Sequence, residues 1–364
     1  MYEMQKRIAL FVPSLCGGGA ERMMVNLANT FYSRGIKTDL VLVRKEGPYV
    51  DDVEQGIEIV ELNASRVSTS LLSLAKYLRR VQPTAILSTL MYANVVVACA
   101  HFIAKSQARL VLREANAITA ACDRRRTAKG KIIHVCAGWA YKYCDRVVGI
   151  SEGLTEDIKN VYGLPDDRVI TIYNPVVNDD VVARAKSDGS GSDVHTSFIL
   201  GVGRLVEQKD FATLISAFAR VKKTHNVRLI ILGEGDQREE LKTLVEQLEL
   251  EGCVSMPGFV DDPYSYMKAA SVFVLSSRWE GFGNVLVEAL ACGAPVVSTD
   301  CPSGPSEILE EGRWGELVPV GDATKMASAI CQTLDATEHP VASQRALSFH
   351  VDKIAEKYMD VLLG

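Results

Sequence analysis

The densest cluster of polar and glycine residues lies at 276–289, where a predicted strand ends and a helix begins. Glu280 stands just before a glycine-rich turn, and Glu288 lies in the early turns of the helix. Because Glu288 follows Asn284 by one helical turn, both side chains face the same way. Glutamates accept hydrogen bonds from hydroxyls, and free N–H groups near Gly283 can bind hydroxyl or phosphate oxygens. The helix dipole alone would explain Glu288 but explains Glu280 poorly.

A second candidate site follows the predicted strand at 198–203. Arg204 comes directly after that strand, and Lys209 opens the next helix. Two cations beside a helix start suit a diphosphate, because arginine offers a planar set of donors and lysine a compact charge. The alternative is an exposed loop whose charges form salt bridges.

Three consecutive glycines, Gly17, Gly18 and Gly19, form a third candidate site between the first predicted strand and helix. They let the backbone approach a ligand closely, and the following helix offers free N–H groups. The spacing is not the dinucleotide-binding pattern of glycines. A tight strand-to-helix turn is the alternative.

Short apolar runs alternate with helical patterns throughout the chain, which predicts parallel sheets. The strands of these sheets position the three loops. A small, polar segment at 186–193 interrupts the alternation and divides it into two α/β units. We expect domains at 1–175 and 176–342, and a final helix at about 343–364. The predicted strands lie at 8–12, 38–43, 85–89, 109–112, 146–150, 198–203, 227–233, 254–256, 272–276 and 295–299.

Composition excludes several classes of protein. The 364 residues are 48% hydrophobic and 23% charged, which is typical of globular domains and excludes a disordered chain or a coiled coil. The net charge of −5 does not favour a nucleic-acid partner. Residues 64–150 nevertheless hold 14 Lys or Arg against 3 Asp or Glu, so the first unit carries a strongly basic segment.

Cysteines and apolar stretches give no sign of a zinc site or a membrane span. The nine cysteines include no C-x-x-C pair, which favours free, buried thiols in a reducing cytosol. The uncharged stretch between Arg80 and Lys105 is too polar for a good transmembrane helix, so we predict a strand at 86–90 and a helix at 93–104. The short apolar run near the start is a strand rather than a secretion signal.

Three motifs together resemble the family-4 retaining glycosyltransferases. They are Gly-Gly-Gly-Ala-Glu-Arg at 17–22, Gly-Arg-Leu-x-x-Gln-Lys-Asp at 203–210 and Glu-Gly-Phe-Gly-Asn-Val-Leu-Val-Glu-Ala at 280–289. The resemblance implies the GT-B fold, an α/β architecture of two Rossmann-like domains facing a central cleft. It also implies that the last helix crosses back to the N-terminal domain, which binds the acceptor, while the other domain binds a nucleotide-sugar.

By this resemblance, Arg204 and Lys209 would bind the donor diphosphate, Glu280 the sugar and Glu288 the ribose. The loop around Phe259 would bind the base. The donor set is Gly17, Gly18, Gly19, Gly203, Arg204, Lys209, Phe259, Glu280, Phe282, Gly283, Asn284, Val285 and Glu288. The family implies a UDP-sugar donor, no cofactor and no metal, and the lack of any Asp-x-Asp triplet agrees with the last point.

The acceptor side departs from the family pattern. Many relatives place a histidine near the loop that here begins with Arg113, Glu114 and Asn116. We take Glu114 as the candidate catalytic group there, beside Arg204, Lys209 and Glu280. A salt bridge from Glu114 to Arg113 or Arg109 is an equal alternative.

The basic segment suggests an anionic membrane surface or a lipid diphosphate as partner. We assign this role to the loop that contains Arg124, Arg125, Arg126, Lys129 and Lys131, together with Arg113 and Asn116. Ile132, Val135 and Trp139 recur at helical spacing and are predicted to be core residues.

These observations lead to one leading hypothesis and two alternatives. The first is a retaining, metal-independent hexosyltransferase that extends a lipid-linked glycan, cytoplasmic and peripheral on the inner face of the membrane. The alternatives are a UDP-sugar epimerase and a non-catalytic sugar-nucleotide-binding subunit, since fold alone does not determine function.

Overall fold

The computed structural model describes residues 6–16, 18–115, 128–186 and 197–364. The chain forms two compact units. The first comprises Met1–Pro175 with Val351–Gly364, and the second comprises Val176–His350. The glycine and serine segment that follows residue 186 lies largely outside the described residues.

The first unit is a seven-stranded parallel sheet in the order β3-β2-β1-β4-β5-β6-β7. Its strands are β1 (Arg7–Val12), β2 (Lys37–Leu42), β3 (Glu58–Glu61), β4 (Ala85–Thr89), β5 (Arg109–Glu114), β6 (Arg146–Gly149) and β7 (Val169–Thr171). The central strands are apolar and buried, as expected for a parallel sheet that has helices on both faces.

Among the described residues, this unit has the α-helices α1 (Gly19–Ser33), α2 (Leu71–Val81), α3 (Met91–Ala104), α4 (Ala128–Tyr143), α5 (Glu152–Tyr162) and the last helix of the chain, α14 (Val351–Leu363). Apolar residues recur at helical spacing on α1 and α14, and Phe31, Ile354 and Tyr358 pack into one core with β1. The C-terminal helix is therefore part of the first unit.

The second unit is a six-stranded parallel sheet in the order β10-β9-β8-β11-β12-β13. Its strands are β8 (Phe198–Val202), β9 (Arg228–Leu232), β10 (Val254–Gly258), β11 (Val272–Leu275), β12 (Val296–Thr299) and β13 (Glu316–Val318). Its helices are α6 (Asp179–Lys186), α7 (Phe211–Val221), α8 (Arg238–Gln247), α9 (Pro263–Ala269), α10 (Asn284–Ala291), α11 (Pro305–Ile308), α12 (Ala323–Asp335) and α13 (Ser343–Ala346).

All ten predicted strands are confirmed to within a few residues. Three strands were not predicted, namely β3, β7 and β13, and each lies at an edge of its sheet. Edge strands are short and partly solvated, so they lack the continuous apolar run that identifies a buried strand.

The segment that returns to the first unit begins at Val351 and not near residue 343. Residues 343–350 stay in the second unit because Arg345 donates to the backbone carbonyls of Glu307 and Ile308 at 2.7 and 2.9 Å. Phe349 also packs edge-on against Phe282. These contacts bind residues 343–350 to α11 and to the loop after β11.

The uncharged stretch is confirmed as strand β4 followed by helix α3. No helix in the described parts of the chain is long and apolar enough to cross a bilayer. The eight thiols within the described ranges are free but not uniformly buried, because Cys16 is exposed. Burial raises the pKa of Cys144, Cys292 and Cys301 to about 12, which keeps these three thiols protonated at neutral pH.

Candidate functional site

The strand order of the second sheet determines where a site can form. The order reverses between β8 and β11, which are neighbours although they are not consecutive in the chain. Ligands of parallel α/β sheets bind at the carboxyl ends of the two strands that flank such a reversal. The loops that leave β8 and β11 there are 203–210 and 276–283, which contain two of the three predicted sites.

Hydrogen bonds join these two loops along their backbones. The Arg278 amide donates to the Gln208 carbonyl at 2.8 Å, and the Gln208 side chain donates to the Trp279 carbonyl at 2.9 Å. The Ser276 hydroxyl donates to the Lys209 carbonyl at 2.7 Å. The two loops are therefore held in a fixed register.

An ion pair between Lys209 and Glu280 lies in the middle of this junction. Lys209 Nζ is 2.5 Å from Glu280 Oε1, and the Ser277 hydroxyl donates to the same oxygen at 2.6 Å. Both charged side chains are largely buried. A buried pair is favourable only when its remaining polar atoms are satisfied, and Ser277 supplies that additional donor. An ammonium has three N–H donors, so Lys209 can bind further oxygens.

Arg204 is exposed beside the same loop, and none of the described carboxylates lies within ion-pair distance of it. Its five N–H donors are thus available to an anion. The alternative of a salt-bridging loop therefore describes Lys209 but not Arg204.

Glycines allow the loops to approach one another at two points. Gly203 packs against the Lys209 side chain, where an added Cβ would lie 3.2 Å from its Cε. Gly233 has φ +136°, and an added Cβ would overlap the carbonyl oxygen of Gly203. The chain after β9 can therefore lie directly against the chain after β8, and Leu205 N donates to Glu234 O at 2.9 Å.

The glycine-rich turn after Glu280 is built from a buried aromatic and a left-handed glycine. Phe282 is buried against Phe349, with ring centroids 5.4 Å apart. Gly283 has φ +105° and ends the turn, so α10 begins at Asn284. The first N–H groups of a helix have no intrahelical acceptor, so the amides of Gly283 and Val285 can donate hydrogen bonds at this edge of the sheet.

Other predicted donor residues lie on the same edge of the sheet. Glu288 is half-buried, one turn into α10. Phe259 follows β10 and is 78% exposed. Because β10 is two strands away from β8, Phe259 lies on the order of 10 Å from the Lys209–Glu280 pair, measured across the strands.

The first sheet has its own reversal, between β1 and β4. Gly18 and Gly19 stand there at the start of α1, whereas Gly17 lies outside the described residues. Leu90, which follows β4, has φ +77°, an unusual conformation for leucine that the sequence does not signal. The predicted glycine site is thus at a position where parallel sheets bind ligands.

Arg113 is not on the surface, which corrects its prediction as a membrane-contacting residue, whereas its role toward an acceptor stays a prediction. It is 1% exposed and donates to Thr89 Oγ1 at 2.7 Å and to Asn174 Oδ1 at 2.5 Å. Strand alternation places Glu114 on the opposite face, where it accepts a hydrogen bond from Tyr141 at 2.6 Å. Burial and the Glu114 charge hold the pKa of Tyr141 well above its usual range, so its hydroxyl remains the donor.

The predicted core stripe of α4 is also corrected. Ile132, Val135 and Trp139 are exposed on the outer face of the helix. There Trp139 stacks on Tyr143 with centroids 5.2 Å apart, and Phe102 from α3 packs edge-on against both. Helical periodicity shows that the face is apolar but not what covers it. We call these five residues the aromatic face.

The rest of the predicted acceptor loop is only partly described. Asn116, Arg124, Arg125 and Arg126 lie outside the described residues, as does the side chain of Lys129. Lys131 is exposed at the start of α4. No group of three His, Cys, Asp or Glu residues that could hold a metal ion occurs in the parts of the chain that the structure covers.

Several residues of the site were not predicted. Ser277, Gln208 and Asp210 each contact the loops at the junction, through Glu280, Trp279 and Arg278 respectively. The signals were the pair of serines at the end of β11 and the Gln-Lys-Asp end of the motif at 203–210, neither of which indicated a role. Gly304 has φ +116°, and an added Cβ would overlap the Phe282 carbonyl. Nothing in the sequence identifies that approach between the loops after β11 and β12.

We predict that Gly304→Ala destabilises the second unit by more than Gly312→Ala does. Both glycines have positive φ, at +116° and +96°, so both substitutions add backbone strain of about 1–3 kcal/mol. Only at Gly304 would the new methyl collide with backbone, whereas at Gly312 its nearest neighbour is 3.6 Å away. Urea unfolding measures the difference, and equal losses in the two variants would contradict the close approach.

The chain is similar to known glycosyltransferases in sequence and in fold. The family models described as "Glycosyl transferases group 1" and "Glycosyltransferase Family 4" match residues 183–346 and 17–179. The lipopolysaccharide core biosynthesis glycosyltransferase LpsE of Rhizobium meliloti is 30% identical, over 86% of this chain and 85% of its own.

A second relative matches over nearly the full length. It is the Campylobacter jejuni N-acetylgalactosamine-N,N'-diacetylbacillosaminyl-diphospho-undecaprenol 4-alpha-N-acetylgalactosaminyltransferase, at 29% identity over 99% of this chain and 100% of its own. Crystal structures of Anabaena HepE with UDP and with UDP-glucose have TM-scores of 0.81 and 0.80 at 22% identity, each covering 98% of this chain and 99% of HepE. The predicted GT-B fold is thereby confirmed, and the chain belongs to the family-4 glycosyltransferases.

Proposed function

We propose that this glycosyltransferase moves a sugar from a UDP-sugar to a lipid-linked glycan, with retention of configuration at the anomeric carbon. The observation that carries the proposal is the Lys209–Glu280 pair beside the exposed Arg204, at the strand-order reversal of the second sheet. These groups supply two cations for a diphosphate and a carboxylate for sugar hydroxyls at one place.

In this proposal, the main task of the site is to stabilise the departing diphosphate. Negative charge develops on the phosphate oxygens as the bond to the anomeric carbon breaks, and fixed cations lower that barrier most. Arg204 binds the phosphate oxygens through its planar set of N–H groups. Lys209 binds them through the N–H groups that do not bond to Glu280. We propose that these two cations do this without a divalent metal.

The donor sugar and nucleoside are assigned to the remaining residues of the edge. Glu280 and the amides near Phe282 and Gly283 bind sugar hydroxyls, and Glu288 binds the ribose. Phe259 is exposed and offers an aromatic surface to the base. UDP is favoured because HepE, which shares the fold, is known in complex with UDP and UDP-glucose.

We further propose that the acceptor is lipid-linked and is reached at a membrane surface. The Campylobacter relative is named for an undecaprenol-diphosphate acceptor, and LpsE for lipopolysaccharide core synthesis. The aromatic face of this chain supports the proposal, since it exposes three aromatic side chains beside the cations Lys131 and Lys142.

Charge complementarity favours an anionic membrane in this proposal. Residues 64–113 contain no Asp or Glu, and neither does α4. Each Lys or Arg near an anionic lipid surface contributes about 1 kcal/mol to binding. Aromatic side chains at the level of the headgroups supply the apolar part.

We predict that Lys209→Ala and Glu280→Ala lose transfer activity while remaining folded. Each substitution removes a side chain assigned to the nucleotide-sugar, the diphosphate for Lys209 and the sugar for Glu280, so kcat/KM falls by about 100-fold or more. Nucleotide release is measured with and without a membrane-lipid extract. Lys242→Ala is the matched control, since Lys242 forms an exposed ion pair with Glu239 on α8.

Normal turnover in either Lys209→Ala or Glu280→Ala would contradict the site assignment. Isomerisation of the donor without extract would instead indicate an epimerase. Tight nucleotide binding without turnover would indicate a sugar-nucleotide-binding subunit.

We also predict that Val135→Ser weakens binding to phosphatidylglycerol-containing vesicles, whereas Val341→Ser does not. The two valines are similarly exposed, at 72% and 64%, but only Val135 lies on the aromatic face. Burying one such side chain in a bilayer contributes about 1.5–3 kcal/mol. Vesicle co-sedimentation at low salt measures the effect, and equal binding of both variants would contradict a membrane role for this face.

A further inference from the structure

Asp210 stands at the start of α7 in a conformation that capping does not explain. Its φ and ψ are +44° and +47°, in the left-handed region that glycine adopts at least cost. A helix-capping aspartate has extended backbone and accepts from the first amides of the helix, whereas the Asp210 side chain accepts no such bond. A specific contact must therefore account for an aspartate here.

The contact is with the neighbouring loop. Arg278 Nε lies 3.1 Å from Asp210 Oδ2, and Thr213 Oγ1 donates to the same oxygen at 2.8 Å. The carboxylate is almost fully buried, and Arg278 is about half exposed. A buried carboxylate needs its partners, so Asp210 holds Arg278 firmly while Thr213 satisfies it from α7.

This pair lies directly beside the proposed donor groups. Asp210 follows Lys209 in one loop, and Arg278 precedes Glu280 by two residues in the other. The two loops are thus joined by the ion pairs Lys209–Glu280 and Asp210–Arg278, and by an exposed contact of 3.6 Å between Arg278 and Glu207. We propose that Asp210 and Arg278 are positioning residues, which hold Lys209 and Glu280 at the spacing that a nucleoside diphosphate requires.

This inference rests on the proposed function for its catalytic consequence. Misplacing a charge that acts in the transition state lowers kcat more than it raises KM. We expect kcat to fall about tenfold in Asp210→Gly and in Arg278→Ala, with little change in KM. Both variants break the Asp210–Arg278 contact, and Arg278→Ala also removes the exposed contact with Glu207. The double variant should therefore be no slower than Arg278→Ala alone.

Asp210→Gly separates positioning from folding. Glycine suits the left-handed backbone, so the variant retains the helix start and its melting temperature stays close to that of the parent chain. Glu239→Gln is the matched control, since it breaks the exposed 2.7 Å pair with Lys242 in the same unit.

A second readout does not depend on the donor. Lys209 is acetylated on the intact protein with succinimidyl acetate, and the rate is followed by mass spectrometry. We expect several-fold faster labelling of Lys209 in Asp210→Gly and Arg278→Ala than in the parent chain or Glu239→Gln, because the amine is less firmly held by Glu280.

Unchanged Lys209 labelling in folded Asp210→Gly would overturn the inference, and so would faster labelling with undiminished kcat. If the parent chain transfers no sugar from any nucleotide-sugar, the proposed function fails. The labelling rates then decide by themselves whether Asp210 and Arg278 position Lys209.

Discussion

The buried pair between Lys209 and Glu280 is the interaction on which the site depends. Burying either charge alone would carry a large desolvation penalty, and the opposite charge 2.5 Å away offsets that penalty. Ser277 adds a donor from the end of β11. The pair thus joins the two strand-to-helix loops, 203–210 and 276–283, so that their residues form one continuous surface.

Glycine positions make this arrangement possible, because backbone must approach backbone at the carboxyl edge of the second sheet. At Gly233 and Gly304, a side chain would overlap carbonyl oxygens of the neighbouring loops. These approaches place the loops after β8, β9, β11 and β12 against one another. The charges can therefore be held by backbone hydrogen bonds and not by long, flexible side chains alone.

Much of the fold was predictable from the sequence, because a parallel sheet buried on both faces leaves continuous apolar runs. The glycine and charge motifs also indicated the correct loops, since parallel strands end at the same edge. The edge strands β3, β7 and β13 were missed because they are short and partly solvated.

Two predictions failed for a common reason. Arg113 is charged but buried, and Ile132, Val135 and Trp139 are apolar but exposed. Residue type indicates the environment in which a side chain has the lowest free energy. Whether the side chain is buried depends on what packs against its helix or strand in the folded chain. The partners that decide it, such as Asn174 for Arg113 and Phe102 for Trp139, are distant in sequence.

Hydrogen exchange of the full chain with and without saturating UDP shows where the nucleotide binds without requiring an acceptor. If the Lys209–Glu280 pair binds the diphosphate, UDP slows exchange in 203–210 and 276–288. Saturating UDP that left both loops exchanging at their original rates would contradict that assignment.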